Sequence, residues 1–226
     1  MSGEVIYTKG TESRLRLRHA VMDLFTTPKV FLLRNSCPNI FSGPIPLHYG
    51  FKRWAWRSER GLEIALAKRA IDQFEPQKVL EVGNVLFHSG IIGHQVVDKY
   101  EVGPGVQNID ILEFEKQEPI DCLVSISTLE HVGWDEEPRD SDKARLALSH
   151  ISDLSPNLLI TIPVGHHLIF EDDFINGPFD AVYLAVKTSR SGRWERRPLE
   201  ERKQITYGLP FGYGNGILFG VRGQVG

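Results

Sequence analysis

Three acids and a glycine stand out by where they fall in the chain. Glu81 lies inside a short apolar run, Val79-Leu80-Glu81-Val82, two residues before Gly83. A carboxylate inside a strand is costly to bury without partners. Glu81 therefore either accepts hydrogen bonds from a bound cofactor or orders the loop behind it; a strand-end acid paired with a local arginine is the plainer alternative. Gly83 lets the backbone approach a ligand with no side chain in the way, and Asn84 follows it. Asp98 closes a second apolar run, Gln95-Val96-Val97. A carboxylate at such a tip offers two acceptor oxygens to the two hydroxyls of a ribose. The alternatives are a turn aspartate and, as a substitute, Glu101. A third acid, Asp110, lies in a β-like stretch over 108–112.

Strand, glycine turn, strand and terminal carboxylate are the parts of a nucleotide-type cofactor site. The phosphate-binding part is missing. A dinucleotide fingerprint needs G-x-G-x-x-G opening a helix, and here Gly83 is followed by Asn84-Val85-Leu86-Phe87-His88. A whole crossover with its helix needs at least ~10–12 residues, which the link between the two runs hardly provides. A diphosphate cradle at a helix N-terminus is not expected, and a cofactor without phosphates needs it less.

The elements that must position these residues follow from the pattern. Ser58 can cap a helix carrying Leu62, Leu66, Ala70 and Phe74 on one face, ended by Pro76. The runs at 79–82, 95–98, 122–127 and 157–163 read as strands, the third and fourth as central parallel strands buried on both faces. Residues 141–154 read as a helix with Ala144, Leu148 and Ile151 on one side. Two late β-like runs, 182–186 and 217–221, suit an antiparallel edge hairpin, with a polar segment between them. This alternation predicts an α/β fold: a doubly wound, mostly parallel Rossmann-like sheet, with that hairpin at the C-terminus. The expected organisation is an N-terminal arm or lid over 1–57 and a catalytic domain over 58–226. Within the arm, 12–25 has helical spacing among arginines. His48, Tyr49, Phe51, Trp54 and Trp56 form an aromatic cluster suited to packing or to a lid.

Bulk properties narrow the class. A net charge of −3 argues against a general nucleic-acid binder. Two cysteines, Cys37 and Cys122, form neither a metal-type pair nor a disulfide framework, which suits a reducing compartment. The N-terminus has no apolar signal core, and no segment reaches the roughly 20 apolar residues of a membrane span. A cytoplasmic protein with a small-molecule partner and no nucleic acid is expected; oligomeric state is not legible.

Leu80-Glu81-Val82-Gly83, Val97-Asp98, Asn108-Ile109-Asp110-Ile111 and the segment from Asp121 through Ser127-Thr128-Leu129-Glu130-His131-Val132 resemble the successive motifs of class I S-adenosylmethionine-dependent methyltransferases. The resemblance spans about 58–223. The Glu-Val-Gly-Asn turn is similar to that of a divergent bacterial branch linked to sugar and cell-surface polysaccharide pathways. It departs from the family pattern at Asn84, Val85 and Leu86, where further glycines usually stand. The resemblance implies S-adenosylmethionine as cofactor and methyl transfer to O or N of a small molecule. It also implies that Glu81, Gly83 and Asn84 line the methionine and ribose part and that Asp98 holds the ribose hydroxyls. Asp110 and Ile111 would meet the adenine, and Ser127 and Thr128 the methionine end. His131, at the cofactor end of the fourth strand and titrating near neutrality, is the first candidate for a general base. Asp135, Glu136, His166 and His167 are further candidates. No spacing matches a strong metal motif, so no metal is expected. Two other readings stand beside this one: a non-catalytic cofactor-binding relative, and a nucleotide-sugar or NAD-linked Rossmann enzyme.

Overall fold

The structure is a computed structural model that describes residues 45–48, 55, 58–189 and 193–225. The expected helix over 12–25 lies outside the described residues, as does most of the aromatic cluster of the arm. One eight-stranded sheet organises the rest, in the order β3-β2-β1-β4-β5-β8-β6-β7. Its strands are β1 (Val79–Val82), β2 (Gln95–Val97), β3 (Val106–Gln107), β4 (Cys122–Ile126), β5 (Asn157–Pro163), β6 (Ala181–Lys187), β7 (Trp194–Arg197) and β8 (Gly216–Arg222). The first five pair in parallel, and β8 joins antiparallel to both β5 and β6. Among the described residues the α-helices are α1 (Arg60–Ile71), α2 (Lys143–Leu154) and α3 (Leu168–Ile175). This is the predicted doubly wound, mostly parallel sheet.

The two faces follow from the period of two along each strand. Cys122, Val124 and Ile126 of β4 and Leu159 of β5 enter one apolar layer with Leu62, Leu66 and Ala70 of α1. Leu123 of β4 and Leu158, Ile160 and Ile162 of β5 enter the other, with Ala144, Leu148 and Ile151 of α2 and Phe170 and Phe174 of α3. Each such side chain contributes about 1.5–3 kcal/mol by leaving water, so the central strands are held from both sides. The N-cap of α1 is Glu59 rather than the expected Ser58, and its side chain makes no capping hydrogen bond; Ser58 Oγ, one residue earlier, accepts from Arg60 N at 3.3 Å. Ile45 and Leu47 are buried in the α1 layer, and His48 N donates to Gly61 O at 2.8 Å.

One expectation needs correction, and two features were not anticipated. The third strand is only Val106–Gln107, and Asp110 caps a 3-10 turn over Ile111–Glu113 by accepting from Leu112 N. A two-residue strand at the sheet margin carries too little apolar pattern to be placed from sequence. The two late runs pair antiparallel as expected, β6 with β8; β8 lies between β5 and β6, and a further strand, β7, forms the margin. Helix α3 was not anticipated; its sequence, LIFEDDFI, is short and its only charges are three consecutive acids.

Gly220 of β8 lies under the ring of Phe179, and a Cβ there would come within 2.6 Å of three ring carbons. Gly220→Ala is expected to lower stability by about 1–3 kcal/mol through overpacking, read as a lower urea midpoint with an unchanged m-value.

Candidate functional site

A cavity of about 550 Å³ opens at the carboxyl ends of β1, β2 and β4. It lies where the strand order reverses, between β1 and β4, the usual ligand position in an open α/β sheet. Its wall includes Gly83, Asn84, Asp98, Asp110, Ile111, Ser127, Thr128 and His131. Eight of the nine residues tied to the cofactor or to the general base therefore share one cavity; of the further candidates, Asp135 and Glu136 also line it and His166 and His167 do not.

Glu81 is the ninth, and it is not in the wall. It is fully buried, and its Oε1 accepts from Val85 N and Leu86 N, both at 2.8 Å, while Oε2 pairs with His94 Nε2 at 2.8 Å. Its contacts are those of the loop-ordering role rather than the cofactor-accepting one. The loop it shapes holds a single 3-10 turn, Leu86–Ser89, and no α-helix. The short link between β1 and β2 anticipated this, and no helix N-terminus faces the cavity from that loop.

Gly83 has φ +90°, and a Cβ there would press into the side chain of Thr128. Both constraints exclude a side chain. Ser127 adopts φ +39°, which costs a non-glycine residue about 1–3 kcal/mol. It is held there by its N–H, which donates to Thr161 O at 2.9 Å, and by its hydroxyl, which donates to Glu63 Oε1. Thr161 Oγ1 donates to the same oxygen at 2.7 Å, and Arg60 Nη1 pairs with Oε2 at 3.1 Å. Burial raises the Glu63 carboxyl, and Arg60 opposes that rise. Arg60 also donates to Ile126 O and reaches the cavity wall.

Asp98 ties two loops together. Oδ2 accepts from Asn84 N at 3.1 Å, and Oδ1 accepts from Tyr100 N and Glu101 N at 2.9 and 2.7 Å. Glu101, also in the wall, pairs with His88. The plain alternative of a turn aspartate is thus realised, while one acceptor position of Oδ2 remains by lone-pair count. Asn84 is buried, and its Oδ1 has no hydrogen-bond partner among the described residues.

Asp110 is the hub of a four-charge cluster at the rim. Its Oδ2 lies 2.7 Å from Lys143 Nζ and 3.0 Å from Lys99 Nζ, and both ammonium groups also reach Glu136. Burial would raise the Asp110 carboxyl, but the two lysines and Leu112 N hold it down at about 2.

His131 lies on the far side of the cavity mouth, half exposed. Its Nδ1 bonds Asp135, its Nε2 is 3.5 Å from Glu130 Oε1, and its ring meets the edge of His166 at 4.6 Å. Burial lowers the His166 pKa, and the nearby His131 lowers it further. Trp134 stacks on His167 at 4.1 Å. Sequence reasoning did not single out Arg60 or Lys99 as cavity-wall residues; the only local signal was the Arg60/Glu63 spacing on one helix face.

No protein-family model and no curated protein matches the sequence. Several solved structures are similar. The N-methyltransferase NodS from Bradyrhizobium japonicum WM9, in complex with S-adenosyl-L-homocysteine, aligns at 12% identity and TM-score 0.45, over 73% of this chain and 86% of that one. The magnesium protoporphyrin IX methyltransferase ChlM from Synechocystis PCC 6803, with bound S-adenosylmethionine, aligns at 13% and 0.41, over 73% and 79%. An rRNA methylase from Escherichia coli aligns at 13% and 0.40, over 73% and 65%. Values this low assign no activity.

Two outcomes are expected at the site. Gly83→Ala should destabilise the chain by about 1–3 kcal/mol, from the backbone strain alone, read by thermal unfolding. Substitution of Thr128 by Ala in that background should recover only part of it. For Asp110, the folded carboxyl titrates near 2, below its unfolded value, so its stabilisation is present above about pH 4 and fades as pH falls toward 2. Asp110→Asn should remove at most about 2 kcal/mol at neutral pH, allowing for solvent at the rim, and flatten the acid limb of a stability–pH curve.

Proposed function

We propose that this chain transfers a methyl group from S-adenosylmethionine to an oxygen or nitrogen of a small molecule, such as a sugar-type metabolite. One observation carries the reading: the cavity at the switch point has acids at the tip of β2 and no helix N-terminus in the β1–β2 loop to cradle phosphate. An adenosyl cofactor without phosphates suits it better than a dinucleotide. The partnerless Oδ1 of Asn84 supports the same fit, since a buried acceptor without a donor calls for one from a ligand. When bound, the cofactor supplies an electrophilic methyl group on a cationic sulfonium, taken by in-line displacement.

The chain's own residues then have the following tasks. Gly83 gives the close backbone approach, and Asn84 Oδ1 accepts from the methionine end. The remaining acceptor position of Asp98 Oδ2, with Glu101 beside it, takes the ribose hydroxyls. Ile111 packs on the adenine, and Asp110 Oδ1, which uses one position on Leu112 N, accepts from the adenine amino group. Ser127 and Thr128 flank the methionine end, and Arg60 supplies the positive charge that an amino-acid carboxylate needs. The acceptor is activated at His131, backed by Asp135. The rim acids Glu101, Asp135 and Glu136 and the net charge of −3 disfavour a polyanionic acceptor, hence a small molecule.

Isothermal calorimetry with S-adenosylmethionine and S-adenosylhomocysteine tests this. Saturable binding is expected, weakened at least about tenfold in Asp98→Ala, for the loss of one charged hydrogen-bonding group, and unchanged in His131→Ala. An absence of binding at millimolar cofactor, or preferential binding of NAD or a nucleotide sugar, would overturn the proposal.

A further inference from the structure

Where β4 and β5 end side by side, the chain gathers nitrogen and oxygen donors beyond what methyl transfer alone requires. One donor atom each from His131, Asp135 and His166 lies within 4.8 Å of the other two. In a tetrahedral site with bonds of about 2.1 Å the ligand atoms are about 3.4 Å apart, a spacing comparable with that of these donors. His131 and Asp135 belong to the cavity wall, which gives a bound ion an open side toward the acceptor.

Two further observations point to a ligand. Glu130 is 1% exposed, neither of its carboxylate oxygens accepts a hydrogen bond among the described residues, and Oε1 lies 3.5 Å from His131 Nε2. A carboxylate buried without a donor is expensive, and a cation beside it removes that cost. Nδ1 of His166 is likewise buried without a partner. Asp135 lies on the Nδ1 side of His131, so an ion shared with Asp135 binds at Nδ1, and Nε2 then faces Glu130 at 3.5 Å. A carboxylate behind a ligating imidazole is the arrangement that fixes its tautomer and orientation. Trp134 stacked on His167 and Tyr207 at the edge of His166 restrain the surrounding rings.

We propose that His131, Asp135 and His166 form a binding site for a divalent first-row transition-metal ion, with Glu130 behind His131, at the acceptor side of the cavity. Two imidazoles with carboxylate suit zinc, manganese, iron or cobalt, whereas magnesium and calcium favour all-oxygen sets. The role of the ion rests on the methyl-transfer reading; the existence of the site does not. The ion coordinates an oxygen of the acceptor and acidifies its hydroxyl, whose proton leaves to solvent before the oxygen takes the methyl group. His131 is then a ligand, and its share in activating the acceptor is exerted through the ion. This narrows the acceptor to an oxygen-bearing molecule, favouring one with two adjacent oxygens.

The test uses tag-free full-length chain titrated with cobalt(II), followed by visible absorption, with circular dichroism to confirm the fold of each variant. One saturable site per chain is expected, weakened at least about tenfold in His166→Ala and in Asp135→Ala and unchanged in Asp153→Asn, an acid in the last turn of α2 just before β5 begins. No saturable binding, or binding unaffected by the first two variants, overturns the site. The calorimetry with S-adenosylmethionine is run on the same samples. Cofactor binding without cobalt binding sinks the metal site and leaves methyl transfer standing. Cobalt binding without cofactor binding supports the site and removes its assigned role.

Discussion

A buried carboxylate on helix α1 fixes the geometry of the cavity floor. Removing an ion such as Glu63 from water costs several kcal/mol unless its acceptor positions are filled. Here they are filled by Arg60, by the hydroxyl of Ser127 and by that of Thr161. Those three partners come from α1 itself, the end of β4 and the middle of β5. The carboxylate therefore welds one helix to two strands at the point where the cavity begins. It also holds Ser127 in its left-handed conformation, and that turn places Thr128 against Gly83. The close approach of the β1 and β4 loops is thus a consequence of a charge buried on another layer of the fold.

Glu81 does the corresponding work on the β1 side. In a dinucleotide fold the backbone N–H groups after the first strand open a helix and are left for the phosphates. Here that helix is missing, and a buried side chain accepts from Val85 and Leu86 instead. Asp98 joins in from the tip of β2 by accepting from Asn84 N. Two carboxylates thus replace a helix in setting the loop, which leaves the cavity wall there short, acidic and without a phosphate cradle.

How much of this could be read from sequence depended on burial. Strands β1, β4 and β5 were legible because parallel strands covered on both faces are continuous apolar runs. The third strand was not, being two residues long at the margin of the sheet. Helix α3 escaped because eight residues give barely two turns of periodicity. Among the site residues, Asp98 and Gly83 were singled out by position, and Ser127 and Thr128 only through the family resemblance. Glu81 was noticed, but whether its partners would be ligand or loop depended on where two backbone N–H groups pointed. Arg60 and Lys99 reach the cavity from a helix face and a loop with no local motif. His166 meets His131 only because β4 and β5 are neighbours, a relation that no short spacing encodes.

The position of β8 has a consequence for how the chain acquires this shape. Strands β6 and β7 touch the rest of the sheet only through β8, which is later in sequence than both. Until β8 slots in between, β5 has a bare edge and the β6–β7 hairpin floats without an anchor. An exposed edge of that kind, rich in Leu and Ile, is the surface on which newly made chains stick to one another. Docking of β8 closes a long loop late, which favours slow completion of folding. During synthesis, that edge stays bare until β8 has been made.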